Sequence, residues 1–387
     1  MANAMVVAIR GSAQSPISLL KGRLVSLDVF RGTTIALMIL VNNPGGNEYY
    51  GPLQHADWNG LTLADLVFPF FIFVMGVAIP YSFANRPDQR LGTRSLLLRI
   101  VRRTAVLFLL GLFINGFPYF SLSNLRVLGV LQRIAFCYFF ASIIFLFVKP
   151  KWRLFLTAAL PLIYWALMVL VPVPGYGAGV LSKEGNLGAH LDRLVLGGHL
   201  YAGTWDPEGI LSTLPAVSTA LVGILTGQYL TSRQEPSGKA RLAVNLVCFG
   251  GLGLVIGFAW SFLFPINKNL WSSSYVAVTG GMAVASLAVF FHIVDFRMRI
   301  RWTKPFVILG MNAITVYVLS EIGNLALIYT TVPLVSGNIA LKSLIFERLF
   351  ASWAGPLHGS FLYALANLAF CWVIAAILYR KRIFLKA

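Results

Sequence analysis

Residues 55 to 80 read HADWNGLTLADLVFPFFIFVMGVAIP, and this stretch decides what kind of protein the chain is. From Leu61 onward it is almost wholly apolar and long enough to cross a bilayer. A polar cluster of His55, Asp57, Trp58 and Asn59 runs directly into it, so titratable groups stand at the rim of a membrane. Asp65 is the one charge inside the apolar run. A carboxylate near the end of a spanning helix is costly to desolvate and needs a partner or a wet cavity, which makes Asp65 a candidate site wall. The plainer reading is that His55 and Asp65 are interfacial residues reaching water.

The rest of the chain has the same character. Of its 387 residues 58% are hydrophobic and 11% charged, against about 25% charged in soluble domains. The fold expected is an all-α polytopic membrane protein. A net charge of +18 would suggest nucleic acid in a soluble chain, but it also arises when Lys and Arg are held on one side of a membrane.

Apolar runs of span length number about ten: 26 to 43, 61 to 84, 96 to 116, 127 to 148, 153 to 172, 209 to 230, 241 to 263, 271 to 294, 304 to 328 and 358 to 379. Alternating across them puts most of the 31 basic residues on the N-terminal side, in the N-terminus and in 86–103, 149–153, 233–241, 297–304 and 380–386. The positive-inside rule then makes both termini cytoplasmic, and nucleic-acid binding loses its motivation. Residues 1–22 are expected to be a mobile cytoplasmic tail. Residues 23–387 are expected to form a single transmembrane domain with outer loops 44–60, 173–208 and 329–357. The last of these, half apolar, reads as an interfacial or re-entrant helix.

Motifs for several enzyme classes are missing. There is no GxxxxGK[ST], no HExxH and no GxSxG. Cys137, Cys248 and Cys371 lie far apart in apolar runs, so no zinc site or disulfide framework is implied. His190 and His199 share a Gly-containing loop at a spacing that is no recognised ligand pattern, and no metal is expected. No internal repeat is evident, which weighs against a carrier.

The polar residues within the spans each need a reason to be there: Asp28, Arg31, Asn42, Asp65, Gln132, Arg133, Asn312 and Glu321. Asp28 and Arg31, three apart, can pair along one helix face. Arg133 has no acid within four residues and must find Asp65, Asp28, a bound anion or water, so it is the leading intramembrane candidate for ligand contact. Histidine suits proton removal from an amine or hydroxyl near neutral pH, and His55 alone adjoins a span among further polar groups. Asn42 precedes it by one outer loop, and Asn43, Pro44, Gly45 and Gly46 allow the chain to return it beside His55, where it can donate to a developing oxyanion.

Further blocks are RLVSLDVFRG (23 to 32), LVNNPG (40 to 45), LRVLGVLQRIAFCY (125 to 138), GNLGAHLDRLVLGGHLY (185 to 201), DPEGILSTLPA (206 to 216), PINKNLWSSSYV (265 to 276) and PFVILGMNAITVYVLS (305 to 320). Together with the block at His55 they resemble the heparan-alpha-glucosaminide N-acetyltransferase family and its bacterial relatives, over nearly all of the chain from residue 23. The resemblance implies a polytopic enzyme that takes the acetyl group of cytoplasmic acetyl-CoA and delivers it to the amine of a terminal glucosamine across the membrane. It implies His55 as active-site histidine and Asn42 as its partner, and a dimer. Transfer directly in a ternary complex or through an acetyl-histidine both remain open, the direct route sparing an intermediate from hydrolysis. Compared with the lysosomal members, the chain is expected to do without their long lumenal segment and extra span, and it looks like the bacterial form, expected to be an inner-membrane enzyme whose acceptor is glucosamine or a related amino sugar.

On this reading the CoA phosphates meet Arg23, Arg31, Arg99, Arg102 or Arg103, with Asp28 beside them, since guanidinium groups suit bidentate phosphate contacts. Arg133 and Asp65 line the path toward Asn42 and His55. The sugar is held by Trp58, Asp192, His199, Trp205 and Asp206, carboxylates and aromatic faces being good partners for hydroxyls and a pyranose ring. The alternatives are an O-acetyltransferase acting on a sugar hydroxyl, of which LDVFRG is reminiscent, and a proton-coupled transporter of sugars or lipid intermediates using His55 and Asp65 as a relay.

Overall fold

A computed structural model of the chain describes residues 24–84, 92–201, 203–232, 239–334 and 337–384. The expected tail 1–22 and Arg23 lie outside the described residues. What is described is mostly helical with almost no sheet, as the sequence leads one to expect of a polytopic membrane protein.

The helices are α1 (Val25–Asn42), α2 (Leu63–Ala84), α3 (Thr93–Gly116), α4 (Val130–Phe147), α5 (Pro150–Leu170), α6 (Leu187–Leu196), α7 (Thr213–Ser232), α8 (Lys239–Ser261), α9 (Ser273–Phe290), α10 (Lys304–Met311), α11 (Ala313–Tyr329), α12 (Leu341–Phe346) and α13 (Ser352–Arg380). Among the described residues eight helical stretches are long and apolar enough to cross a membrane, and α10 with α11, bent by 79°, makes a ninth if taken as one broken span. The remaining expected span is α3, a helix of 24 residues whose first half carries Arg94, Arg99, Arg102 and Arg103 and whose second half is apolar. Apolar residues fill these helices because the backbone satisfies its own hydrogen bonds inside each one, the condition for crossing hydrocarbon.

By packing, the chain forms two compact units: Met1–His55, Thr62–Val67 and Phe290–Ala387 in the first, Ala56–Leu61 and Phe68–Val289 in the second. In the first, α1 and α10 touch main chain to main chain. A Cβ on Gly32 would stand 1.8 Å from Phe306 O, and one on Gly310 would stand 2.1 Å from Asp28 O. Only glycine permits that approach. The start of α1 is held by Asp295, whose carboxylate accepts from Val25 N (3.3 Å) and Ser26 N (3.0 Å), satisfying helix N–H groups that have no partner within α1. In the second unit, Gly76 and Gly223 seat α2 on α7 in the same glycine-to-backbone manner. Gly250, Gly253 and Gly257, whose sequence fits packing within one chain or between two, lie against α9 of the same chain. The opposite side of α8 exposes Val244, Val247, Leu252 and Val255, a surface suited to lipid.

Two connections carry structure that hydropathy does not show. Within 173–208, α6 is started by Asn186, whose side-chain oxygen accepts from Ala189 N at 2.8 Å. Within 329–357, a two-stranded antiparallel hairpin pairs β1 (Thr331–Leu334) with β2 (Gly337–Ala340) before α12. The expected helix there is present as α12, the π-helical turn Glu347–Ala351 and the first turn of α13, which kinks at Gly355.

Candidate active site

The segment GPLQHADWNGLT, between α1 and α2, sets His55 on the chain just ahead of α2. Gly51–Leu53, with Pro52 at its centre, forms a short 3-10 turn, and the chain then bends through 57–60 before the first turn of α2. Asp65 sits in that first turn, where a carboxylate is favoured by the helix dipole. Its Oδ2 accepts from Thr62 N (3.1 Å) and Thr62 Oγ1 (3.0 Å), and its Oδ1 lies 2.8 Å from His55 Nδ1. Asp65 is 1% exposed at its side chain, His55 44%. An ionised carboxylate can only accept, so in this contact it is Nδ1 that donates to Asp65 Oδ1. The buried acid restrains the ring plane of a half-exposed histidine, an arrangement chemically able to orient a base.

Asn42 ends α1 and donates from Nδ2 to Glu321 Oε1 on α11 at 3.2 Å. Its neighbour Asn43 is the buried one of the two, donating to Ile39 O (2.9 Å) and Ser320 Oγ (3.0 Å). The C-terminal end of α1 is thus tied to α11 by two consecutive asparagines. Asp28 and Arg31 pair as the spacing predicts, Arg31 Nη1 to Asp28 Oδ1 at 3.3 Å. On α3, Arg99 and Arg102 are exposed and Arg103 lays its guanidinium over the Tyr138 ring, 4.5 Å from the centroid.

Most of the residues expected to hold the sugar gather in the second unit. Trp58 packs on the core formed by Tyr164, Met168, Phe264 and Leu270, donates from Nε1 to Leu181 O at 2.9 Å, and meets Trp205 edge-on at 5.4 Å. Trp205 is also edge-on to Tyr201. The next residue in the chain, Asn59, accepts from Asn267 Nδ2 at 3.0 Å, and Gly60 N donates to Ile266 O at 2.8 Å, so 58–60 is pinned along its length.

Asp206 has every oxygen occupied. Oδ2 takes Arg126 Nε (2.9 Å) and Tyr201 N (3.0 Å); Oδ1 takes Arg126 Nη2 (2.7 Å) and Glu208 N (2.9 Å). Arg126 also donates to Glu208 and lies 4.6 Å over the Tyr201 ring. Burial disfavours the Arg126 charge, but the hydrogen bond to Asp206 and the charges of Glu208 and Asp206 outweigh that and hold its pKa above the usual range. Asp206 therefore acts as the knot of the outer connection, and Arg126, at the mouth of α4, is the residue that sequence reasoning missed. The signal was there: two acids at 206 and 208 amid apolar sequence need a cation. His199 ties the same connection down by donating from Nδ1 to Leu125 O at 2.8 Å.

Arg133 is 1% exposed. Its Nη2 donates to Gly209 O at 3.0 Å and to Ser212 Oγ, and its guanidinium lies 5.0 Å from the centre of the Trp271 ring. Nε and Nη1 have no hydrogen-bond partner among the described residues. Asp192, on α6, accepts from Ile210 N at 2.8 Å, so Arg133 and Asp192 grip the same stretch 209–212. Burial pushes the Asp192 carboxyl up to about 6, with the Ile210 N–H, Arg133 and Arg193 opposing and Asp206 reinforcing the shift. No group of three or more His, Cys, Asp and Glu side chains converges as a metal would require among the described residues.

Fold and site together define an integral membrane protein of many helices, with a histidine in contact with a buried carboxylate at the head of one span and aromatic and acidic residues on the connection from α5 to α7. The chain belongs to the heparan-alpha-glucosaminide N-acetyltransferase family: the model of that family's catalytic region matches residues 23–256. It is 34% identical over 354 residues to the heparan-alpha-glucosaminide N-acetyltransferase of Mus musculus, covering 78% of this chain and 53% of that protein. To the Homo sapiens protein of the same name it is 32% identical over 436 residues, covering 96% of this chain and 61% of the relative.

Proposed function

We propose that the protein is an acetyl-CoA-dependent N-acetyltransferase of a bacterial plasma membrane, with both termini cytoplasmic and the acceptor a terminal glucosamine or related amino sugar on the outer side. Family membership supports the reaction type, and the distribution of Lys and Arg supports the orientation. The observation that carries the mechanism is the 2.8 Å contact between His55 Nδ1 and the buried Asp65 carboxylate.

In this reading His55 Nε2 takes the proton of the sugar amine as its nitrogen attacks the acetyl carbonyl. The N–C bond forms, the C–S bond breaks, and the departing thiolate takes the proton from His55 as CoA leaves. Asn42 supplies the N–H that meets negative charge developing on the carbonyl oxygen, its carboxamide steadied by Glu321. Arg31, Arg102 and Arg103 are cationic partners for the CoA phosphates, Asp28 orients Arg31, and Arg133 lines the path. Trp58 and Trp205 offer faces for the pyranose ring, with Asp192 and His199 nearby in the chain's outer connection. A second copy of the chain completes the assembly.

The test is transfer of labelled acetyl from acetyl-CoA to glucosamine by the purified protein in detergent, wild type beside His55→Ala. An alkali-stable amide product whose formation falls at least about a hundredfold in the variant, the usual worth of a general base, supports the proposal. Equal rates in the two proteins remove His55 from the chemistry; an alkali-labile ester product makes the acceptor a hydroxyl.

A further inference from the structure

The break between α10 and α11 falls at Asn312, and that residue is out of keeping with its surroundings. It is 1% exposed, and neither its Nδ2 nor its Oδ1 has a hydrogen-bond partner among the described residues. It precedes α11 in the capping position but makes no side-chain cap, and its backbone leaves the helical region at φ −120, ψ 31. A buried carboxamide with both ends idle is destabilising, because each group has given up its hydrogen bonds to water without replacement. An apolar residue would serve packing better, and a broken spanning helix with polar groups at the break is the form in which membrane proteins present main-chain dipoles to a ligand.

Its place along the fold says which ligand. Asn312 lies eight residues, about 12 Å of helix, beyond Lys304, and nine residues, about 14 Å, before Glu321, which holds Asn42. Gly310, two residues before it, rests against the main chain of α1 at Asp28, within one turn of Arg31. Charge is thus available at one end of this track and the oxyanion donor at the other. The middle is neutral and offers one donor and one acceptor from the carboxamide, with the N–H groups of the first turn of α11 beside them. That set complements a secondary amide, whose N–H and carbonyl both need partners when taken out of water.

We infer that Asn312 binds a secondary amide of the pantetheine arm of CoA, holding the arm midway between its charged nucleotide and its thioester. The inference rests on the acetyl-CoA reading above and adds to it the residue that measures the arm. Because the two idle groups are replaced by nothing that needs a partner, Asn312→Leu leaves the protein at least as stable as wild type.

The experiment compares binding of two probes, CoA and adenosine 3′,5′-bisphosphate, which lacks the arm, to wild type and Asn312→Leu by calorimetry, with the Tm of each protein alongside. Expected are an unchanged or raised Tm, CoA binding weakened about tenfold, and nucleotide binding unchanged. Unaltered CoA affinity in the variant, or equal losses for both probes, overturns the inference and leaves the acetyl-CoA reading standing. A wild type that binds neither probe overturns both. Should the leucine variant not fold, Asn312 has a structural partner and the inference fails, unless Asn312→Ser folds and shows the same selective loss for CoA.

Discussion

Asp65 and His55 stand ten residues apart in sequence, and the contact between Asp65 Oδ1 and His55 Nδ1 at 2.8 Å joins an almost fully buried carboxylate to a ring that is nearly half exposed. The inner partner is fixed by Thr62 and the outer one faces what approaches. Asp65→Asn keeps the volume and offers an N–H to Nδ1, which favours the tautomer with its lone pair on the wrong nitrogen. The variant is expected to lose kcat by about a hundredfold or more with KM for acetyl-CoA little changed. Steady-state kinetics with Asp65→Asn and Asp65→Glu decide it, and an unimpaired kcat in the asparagine variant would remove the orienting role.

Asn42 is held by Glu321 rather than by a main-chain group. Asn42→Ala is expected to lower kcat by about a hundredfold to a thousandfold, the worth of one oxyanion donor. Glu321→Gln, which keeps an acceptor for Asn42, is expected to be milder. Single-turnover rates separate the two, and a glutamine variant as slow as Asn42→Ala would give Glu321 a part in the chemistry itself.

The Arg126 and Asp206 pair makes a prediction about stability. Removing Arg126 leaves a buried carboxylate with two backbone donors and no counter-charge, a loss of about 3 kcal/mol or more. Arg126→Ala is therefore expected to drop the Tm in detergent by several degrees. Asp206→Ala combined with it should lose less than the sum of the two single variants, and a thermal double-mutant cycle reads that difference.

Asp192 predicts a pH dependence with a definite sign. Its carboxyl is raised from 3.8 to about 6 in the folded protein, so between those values the native state holds a proton that the unfolded chain has released. Stability from this group is greatest below pH 4 and declines as pH rises to about 6, by an amount on the order of 1 to 3 kcal/mol. Asp192→Asn, which still accepts from Ile210 N, should match wild type near pH 4 and exceed it in Tm above pH 6. Melting curves across that range check it, and superimposable profiles would falsify the shift.

Much of the fold was legible because hydrophobic runs report spans directly. The expected limits of α1, α2, α3 and α7 agree with the helices to within about four residues, the usual margin for boundaries read from sequence. The break at Asn312 was hidden because the stretch from Val307 to Val318 stays largely apolar, broken only by Gly310, Asn312 and Thr315. The β1 and β2 hairpin was hidden because its strands, Thr331–Leu334 and Gly337–Ala340, have four residues each, too few for period to tell strand from helix. Helix α6 lay among glycines and depends on one cap, Asn186. In the site, residue types pointed to His55, Asp65, Asn42 and Asp206, whereas two partners did not follow from spacing: Glu321 lies far along the chain from Asn42, and which cation answers the acids at 206 and 208 shows only when Arg126 is folded against Asp206.

The clasp of Gly32 and Gly310 has a consequence for motion. Side chains that interlock can change rotamer and let two helices slip, but here main chain meets main chain and there is nothing to rotate. Sliding α1 along α10 by even a fraction of a turn drives a Cα into a carbonyl. α1 and α10 therefore move as one body, a rigid ruler on which Asp28 and Arg31 keep their spacing from Gly310 and from the break that follows it.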